Sequence, residues 1–102
     1  MGKASRDKGA REERALVNRW RAEGISAQRV PLSGGTEFQK GDVQISGFIG
    51  ELKVRQNGGG FKSLYDWLGD NDFLTVKQSG RGRLYVLSED AMIALAKQGG
   101  WK

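Results

Sequence analysis

GDVQISGFIGELKV, residues 41–54, carries a hairpin. It reads as two strands, Asp42–Ser46 and Phe48–Arg55, turning at Gly47. Alternation along the second strand sends Leu52 and Val54 to the core and displays Glu51 and Lys53 together on the opposite face. Asp42 opens the neighbouring strand, where pairing can bring its carboxylate beside Glu51. Two adjacent carboxylates repel unless a cation lies between them. With Lys53 close by, Asp42 and Glu51 resemble a magnesium site with a positive group nearby. A Glu-x-Lys on a strand is also commonly a solvated face with a weak ion pair, and an Asp after Gly is a common turn residue. Spacing alone leaves both readings open.

Upstream, the pattern from about Lys8 to Glu23 is helical, and residues 1–7 read as a flexible basic tail. Leu16, Val17 and Trp20 form the apolar stripe, and at 100° per residue Glu13 falls in its middle, whereas Glu12 points roughly 100° away. A carboxylate on an apolar stripe is costly without a partner, although an acid near a helix start is also favoured by the macrodipole. The functional reading turns Glu13 inward toward Asp42 and Glu51. Gly24 stops the helix in a left-handed conformation. Ile25–Val30 reads as a short strand ended by Pro31, and residues 33–41 form a glycine-rich loop.

Downstream, Ser63–Leu68 reads as a short helix with a capping box of Ser63 and Asp66. Phe73–Gln78 and Arg83–Leu87 read as strands joined by the turn Ser79–Gly82, and Glu89–Lys97 as a helix capped by Ser88. Phe61, Tyr65, Trp67 and Leu68 crowd a helix too short to bury them all, so core and dimer face are equally open readings. The order α-β-β-β-α-β-β-α predicts one α/β domain over residues 1–102 around a single mixed sheet.

The chain has 102 residues, 17 Lys plus Arg against 12 Asp plus Glu, and neither Cys nor His. Disulfides, thiolate nucleophiles, imidazole bases and Cys- or His-based zinc sites are thereby excluded. Any metal must sit on carboxylates, carbonyls and water, the ligand set of Mg²⁺, Mn²⁺ or Ca²⁺. The net charge of +5 and a pI near 9.8 point to a polyanionic partner, with nucleic acid the first candidate. Lys8, Arg55, Lys62, Arg81 and Arg83, with Arg19 and Arg21, can track a phosphate backbone, though each taken singly also reads as a solvated surface charge. No apolar run approaches the ~18 residues of a membrane helix. The basic start lacks the apolar run of a secretory signal, and Arg6 stands where a myristoylation motif needs Ser or Thr. Gly58–Gly60 lacks the Lys-Ser/Thr of a P-loop, so no nucleotide cofactor is expected. The expected location is the cytoplasm of a prokaryotic or phage-infected cell.

Lys8-Gly9-Ala10-Arg11-Glu12-Glu13-Arg14, then Gly24, then Arg29-Val30-Pro31-Leu32-Ser33-Gly34, resembles the start of the archaeal-type Holliday-junction resolvases. Asp42 followed by Glu51-Leu52-Lys53 resembles the PD-(D/E)XK (restriction-endonuclease-like) core that this family uses. The spacing matches from Lys8 through Ser33, and a looser similarity extends to about Leu87. Two departures stand out: Gly41 replaces a Pro that often precedes the first Asp, and the segment after Lys53 is shorter.

The resemblance implies a central mixed sheet flanked by helices, and a Mg²⁺-dependent endonuclease nicking four-way DNA junctions symmetrically as a homodimer. It implies Asp42, Glu51 and the Leu52 carbonyl as metal ligands, with Glu13 contributing to metal or water coordination. Lys53 would activate water and stabilise the phosphate, Arg14 and Arg29 would contact phosphates, and Ser33 would assist at the scissile phosphate. The alternatives are another small nuclease of this fold acting on linear, nicked or flapped DNA, and a non-catalytic DNA-binding protein that keeps the fold.

Overall fold

The computed structural model describes residues 3–30, 41–57 and 59–102, with side chains from residue 8 onward. Ser33, and with it the glycine-rich loop as far as residue 40, lies outside the described residues. The chain divides into two compact units, Met1–Val54 with Trp101–Lys102, and Arg55–Gly100.

The first unit begins with α1, Lys3–Ala22. The helix starts five residues before the expected Lys8, so at least residues 3–7 are not a tail. Lys, Ala and Arg are good helix formers, and the single interior Gly9 costs only about 1 kcal/mol. Val17 and Trp20 are buried and Leu16 is half-buried, which bears out the predicted stripe. Gly24, at φ 79°, closes the helix: its N–H donates to Arg21 O (2.9 Å), and Ile25 N–H donates to Trp20 O (3.2 Å). These paired bonds form a Schellman motif.

Strands β1 (Ala27–Arg29), β2 (Val43–Ile45) and β3 (Phe48–Gly50) form an antiparallel sheet in that order. Ile45 opposes Phe48 across a two-residue turn in which Ser46 and Gly47 both have positive φ, 49° and 87°. That is the type I′ turn, whose twist matches the strands it joins. The sheet packs on α1, and Ile25, Ala27, Val30, Val43 and Ile45 are buried with Val17 and Trp20. Trp101 completes this core by stacking on Phe48 (centroids 4.7 Å apart) and on Trp20 (6.0 Å).

The second strand of this hairpin ends at Gly50, not Arg55. β2 begins at Val43, so past Gly50 the ladder has no described partner strand to pair with. Gly41 explains the departure from Pro. Its φ of 102° is inaccessible to proline, whose ring fixes φ near −65°.

The second unit holds α2 (Phe61–Leu68), β4 (Phe73–Val76), β5 (Leu84–Leu87) and α3 (Glu89–Gln98). β4 and β5 pair antiparallel, and α2 packs on them. The expected capping box is absent. The N-cap of α2 is Gly60 without a side-chain bond, and Asp66 instead accepts from Lys62 one turn earlier (2.6 Å). The half-buried Phe61, Leu64 and Leu68 set the phase of the helix and put Ser63 inside its first turn. Ser88 does cap α3, its Oγ accepting from Ala91 N–H (3.2 Å).

The element order is the one expected, but the described strands form two small antiparallel sheets of three and two strands, without a mixed central sheet. Each sheet pairs only strands adjacent in sequence. A parallel pairing needs a crossover of a dozen or more residues with strands long enough to receive it, and these strands are three or four residues long. Among the described residues no helix is long and apolar enough to cross a membrane.

Candidate active site

Asp42 enters β2 held by its backbone on two sides. Its N–H donates to Gly50 O (2.8 Å), and its carbonyl accepts from Val30 N–H (2.9 Å). Its carboxylate Oδ2 accepts from Leu52 N–H (2.8 Å). That bond fastens the first acid to the middle of Glu51-Leu52-Lys53. Continuing the β2–β3 register by one residue sets Asp42 opposite Glu51.

Glu51 and Lys53 are not on a strand. Their side chains are 58% and 66% exposed, and the ammonium lies 3.8 Å from Glu51 Oε2. An exposed pair at that distance is worth less than about 1 kcal/mol, so the two side chains are available to other partners. Leu52 is half-buried and Val54 is 44% exposed, so the segment does not send both to the core as strand alternation would; they line a cleft of about 260 Å³ with Lys8, Gly9 and Glu13. The structure therefore joins Lys8 and Glu13 to the Leu52 side of the segment.

Glu13 is 19% exposed, and its Oε1 accepts from Arg29 Nε at 2.9 Å. This is how a carboxylate on the apolar stripe of α1 is compensated. Arg29 in turn borders a second cleft of about 280 Å³ with Arg14, Val17, Asn18 and Arg21. Arg21 Nε donates to Ala27 O (2.8 Å), which anchors that guanidinium against β1. Three arginines and an amide around one cleft, with no carboxylate among its described lining residues, suit a phosphate. Asn18 and Arg21 were not singled out for this cleft from sequence. Their spacing to Arg14, at i, i+4 and i+7 on one helix face, was the available signal.

Asp42, Glu51 and the Leu52 carbonyl are hard oxygen donors of the kind Mg²⁺ takes while keeping several waters. Glu13 does not join them in a cluster. Among the described residues no group of three or more acidic, His or Cys side chains is placed to hold a metal. Arg55, Lys62, Arg81 and Arg83 belong to the second unit, all four exposed, with Lys62 paired to Asp66 and Arg81 Nη1 donating to Gln78 Oε1 (3.3 Å).

In comparisons with known proteins, no family model matches the chain, and neither a curated protein nor a solved structure matches it.

Proposed function

We propose that the protein is a metal-dependent DNA endonuclease of the PD-(D/E)XK kind, acting on four-way junctions as a homodimer. The observation that supports this best is the 2.8 Å bond from Leu52 N–H to Asp42 Oδ2, which ties the isolated acid to the Glu-x-Lys segment. In this reading Asp42, Glu51 and the Leu52 carbonyl hold Mg²⁺, with Mn²⁺ able to substitute. When bound there, the metal would supply acidity to a water and polarise a phosphoryl oxygen. Water adds to phosphorus, one bridging P–O bond breaks, and the products are a phosphomonoester and a hydroxyl. Lys53 stabilises the charge that grows on the phosphate. The Arg14, Arg21 and Arg29 cleft grips a neighbouring phosphate, and Glu13 orients Arg29 while sharing the cleft beside Leu52. Ser33 keeps the role that the resemblance to the resolvases implies. A junction with two-fold symmetry calls for two symmetric nicks, which a C2 dimer supplies.

A second reading, DNA binding without hydrolysis, is favoured by one observation. Glu13 is engaged by Arg29, which leaves two carboxylates where the resemblance implies three. Incubating the protein with four-way and linear DNA separates the readings. The nuclease reading expects junction nicking in Mg²⁺ that chelator abolishes, and binding without nicking in both conditions supports the second.

A further inference from the structure

The β4–β5 hairpin carries a surface that the proposed nuclease site does not use. Phe73 pairs with Leu87 and Thr75 with Tyr85, so these four side chains share one face, and Leu74, Val76, Leu84 and Val86 share the other. Leu74, Val76 and Val86 are half-buried on their face, and Leu84, beside the turn, is 67% exposed. On the first face Phe73 and Tyr85 are 56% and 63% exposed. Their rings are diagonal neighbours, 5.9 Å apart and tilted by 56°. Lys77 and Arg83 continue the alternation one residue past the register and extend the same face toward the turn. At the turn a cleft of about 460 Å³ is lined by Lys77, Gln78, Arg81 and Arg83 together with Val76 and Leu84 of the other face. The three cations of the hairpin, Lys77, Arg81 and Arg83, gather at its turn, whereas the flanking acids Asp72, Glu89 and Asp90 lie at the opposite end.

We propose that this face is a platform for a single DNA strand, with unpaired bases stacking on Phe73 and Tyr85 and the backbone running to Lys77, Arg81 and Arg83. Exposed aromatics beside cations on a sheet face match what an unpaired strand offers, base faces and phosphates in alternation. A duplex presents phosphates but keeps its base faces stacked, so the rings would gain nothing from it. A second copy of the chain is the other occupant an exposed apolar face suggests. Two copies meeting turn to turn would bring two sets of three cations together, and a polyanion meets the opposite condition at that end of the hairpin. The proposal rests on the DNA reading for the identity of the polyanion and is independent of hydrolysis.

The test is fluorescence anisotropy of a labelled oligothymidylate of about 15 nucleotides, within the site size one such module covers, with a duplex of equal length in parallel and chelator present throughout. Tyr85→Leu and Phe73→Leu each remove a ring and keep an apolar side chain. Each is expected to weaken single-strand binding about fivefold or more and to leave duplex affinity within about twofold, because duplex binding rests on phosphates. If a Leu variant fails to melt cooperatively, Tyr85→Thr, a good strand former at an exposed position, takes its place. In the K77Q/R83Q variant the slope of log affinity against log salt should fall by about 1.4 on the single strand, at ~0.7 per phosphate contact. Undetectable single-strand binding, unchanged binding in the ring variants, or equal losses on single strand and duplex would each overturn the platform. So would Tyr85→Leu turning a dimer into a monomer without changing single-strand affinity. Junction nicking in Mg²⁺ by the same preparations reports on the nuclease reading separately.

Discussion

Replacing Gly41 by Ala should destabilise the first unit far more than the same change at Gly47, although both glycines have positive φ. At Gly47, with φ of 87°, a Cβ meets nothing within 4 Å, so only backbone strain is added. That strain costs about 1 kcal/mol, the lower end for a non-glycine residue in left-handed geometry. At Gly41, with φ of 102°, the Cβ would lie 2.9 Å from Gly50 O and 2.6 Å from Ile49 Cγ2. The isoleucine methyl can rotate away, but the carbonyl cannot. It accepts the 2.8 Å bond from Asp42 N–H that closes the ladder. Overpacking that moves backbone adds a further 1–3 kcal/mol or so, for a total of about 3 kcal/mol. For a chain of this size that lowers Tm by roughly 15 °C, against about 5 °C for Gly47→Ala. Thermal melts followed by far-UV circular dichroism on the two variants and wild type measure the difference. Because the shift lies at Asp42, G41A should also lose cleavage under conditions where it is still folded. A G41A melt no lower than that of G47A would refute the close approach of Gly41 to β3.

The adjacent glutamates on α1 should separate sharply. Glu12→Gln changes a half-exposed charge and should leave nicking nearly unchanged. Glu13→Gln breaks the 2.9 Å pair to Arg29 and should cost at least about tenfold in rate, or about 1.4 kcal/mol in barrier, with less than about 1 kcal/mol in unfolding. A purely structural role would show altered unfolding with normal turnover. Trp101→Ala removes the ring stacked on Phe48 and Trp20 and, being half-buried, should destabilise by about 2 kcal/mol, somewhat below the 3–5 kcal/mol of a fully buried aromatic. Urea titration reads that change. Tyr65 and Trp67 are 77% and 61% exposed on α2, and if they form the dimer face, sedimentation at micromolar concentration should give twice the 11.2 kDa chain mass. Tyr65→Ala with Trp67→Ala should then halve it.

Local periodicity was enough to read the parts of the fold that depend on neighbours in sequence. The stripe of Leu16, Val17 and Trp20, the turn at Gly47, the stop at Gly24 and the Ser88 cap are set within a few residues, and each stands where the pattern puts it. What escaped were features set by distant partners. Trp101 gives no local sign that it stacks on Trp20, eighty-one positions earlier in the numbering. The tie between Glu13 and Arg29 exists only because β1 lies against α1. Glu51 and Lys53 alternate as a strand would, yet pairing needs a partner, and among the described residues β2 begins at Val43 and β3 ends at Gly50. The capping box at Ser63 lost to the amphipathic face of α2, since Phe61, Leu64 and Leu68 fix the helix phase more strongly than one side-chain bond. For the candidate site, the sequence placed Asp42 beside Glu51-Leu52-Lys53, and the hydrogen bond to Leu52 agrees with it. It could not reveal that Glu13 would be engaged by an arginine.

Whether Asp42 and Glu51 support hydrolysis of DNA, as proposed, is read from the rate of junction nicking by Glu51→Gln. Wild type and variant would be purified in parallel and assayed in Mg²⁺ on the same four-way junction, with DNA affinity measured in chelator. Glu51 is exposed and outside the sheet, so the variant should fold and bind as wild type does. The expected result is a loss in rate of about a hundredfold or more, corresponding to roughly 2.7 kcal/mol in barrier, with unchanged or tighter DNA binding. Nicking by Glu51→Gln at the wild-type rate would contradict it.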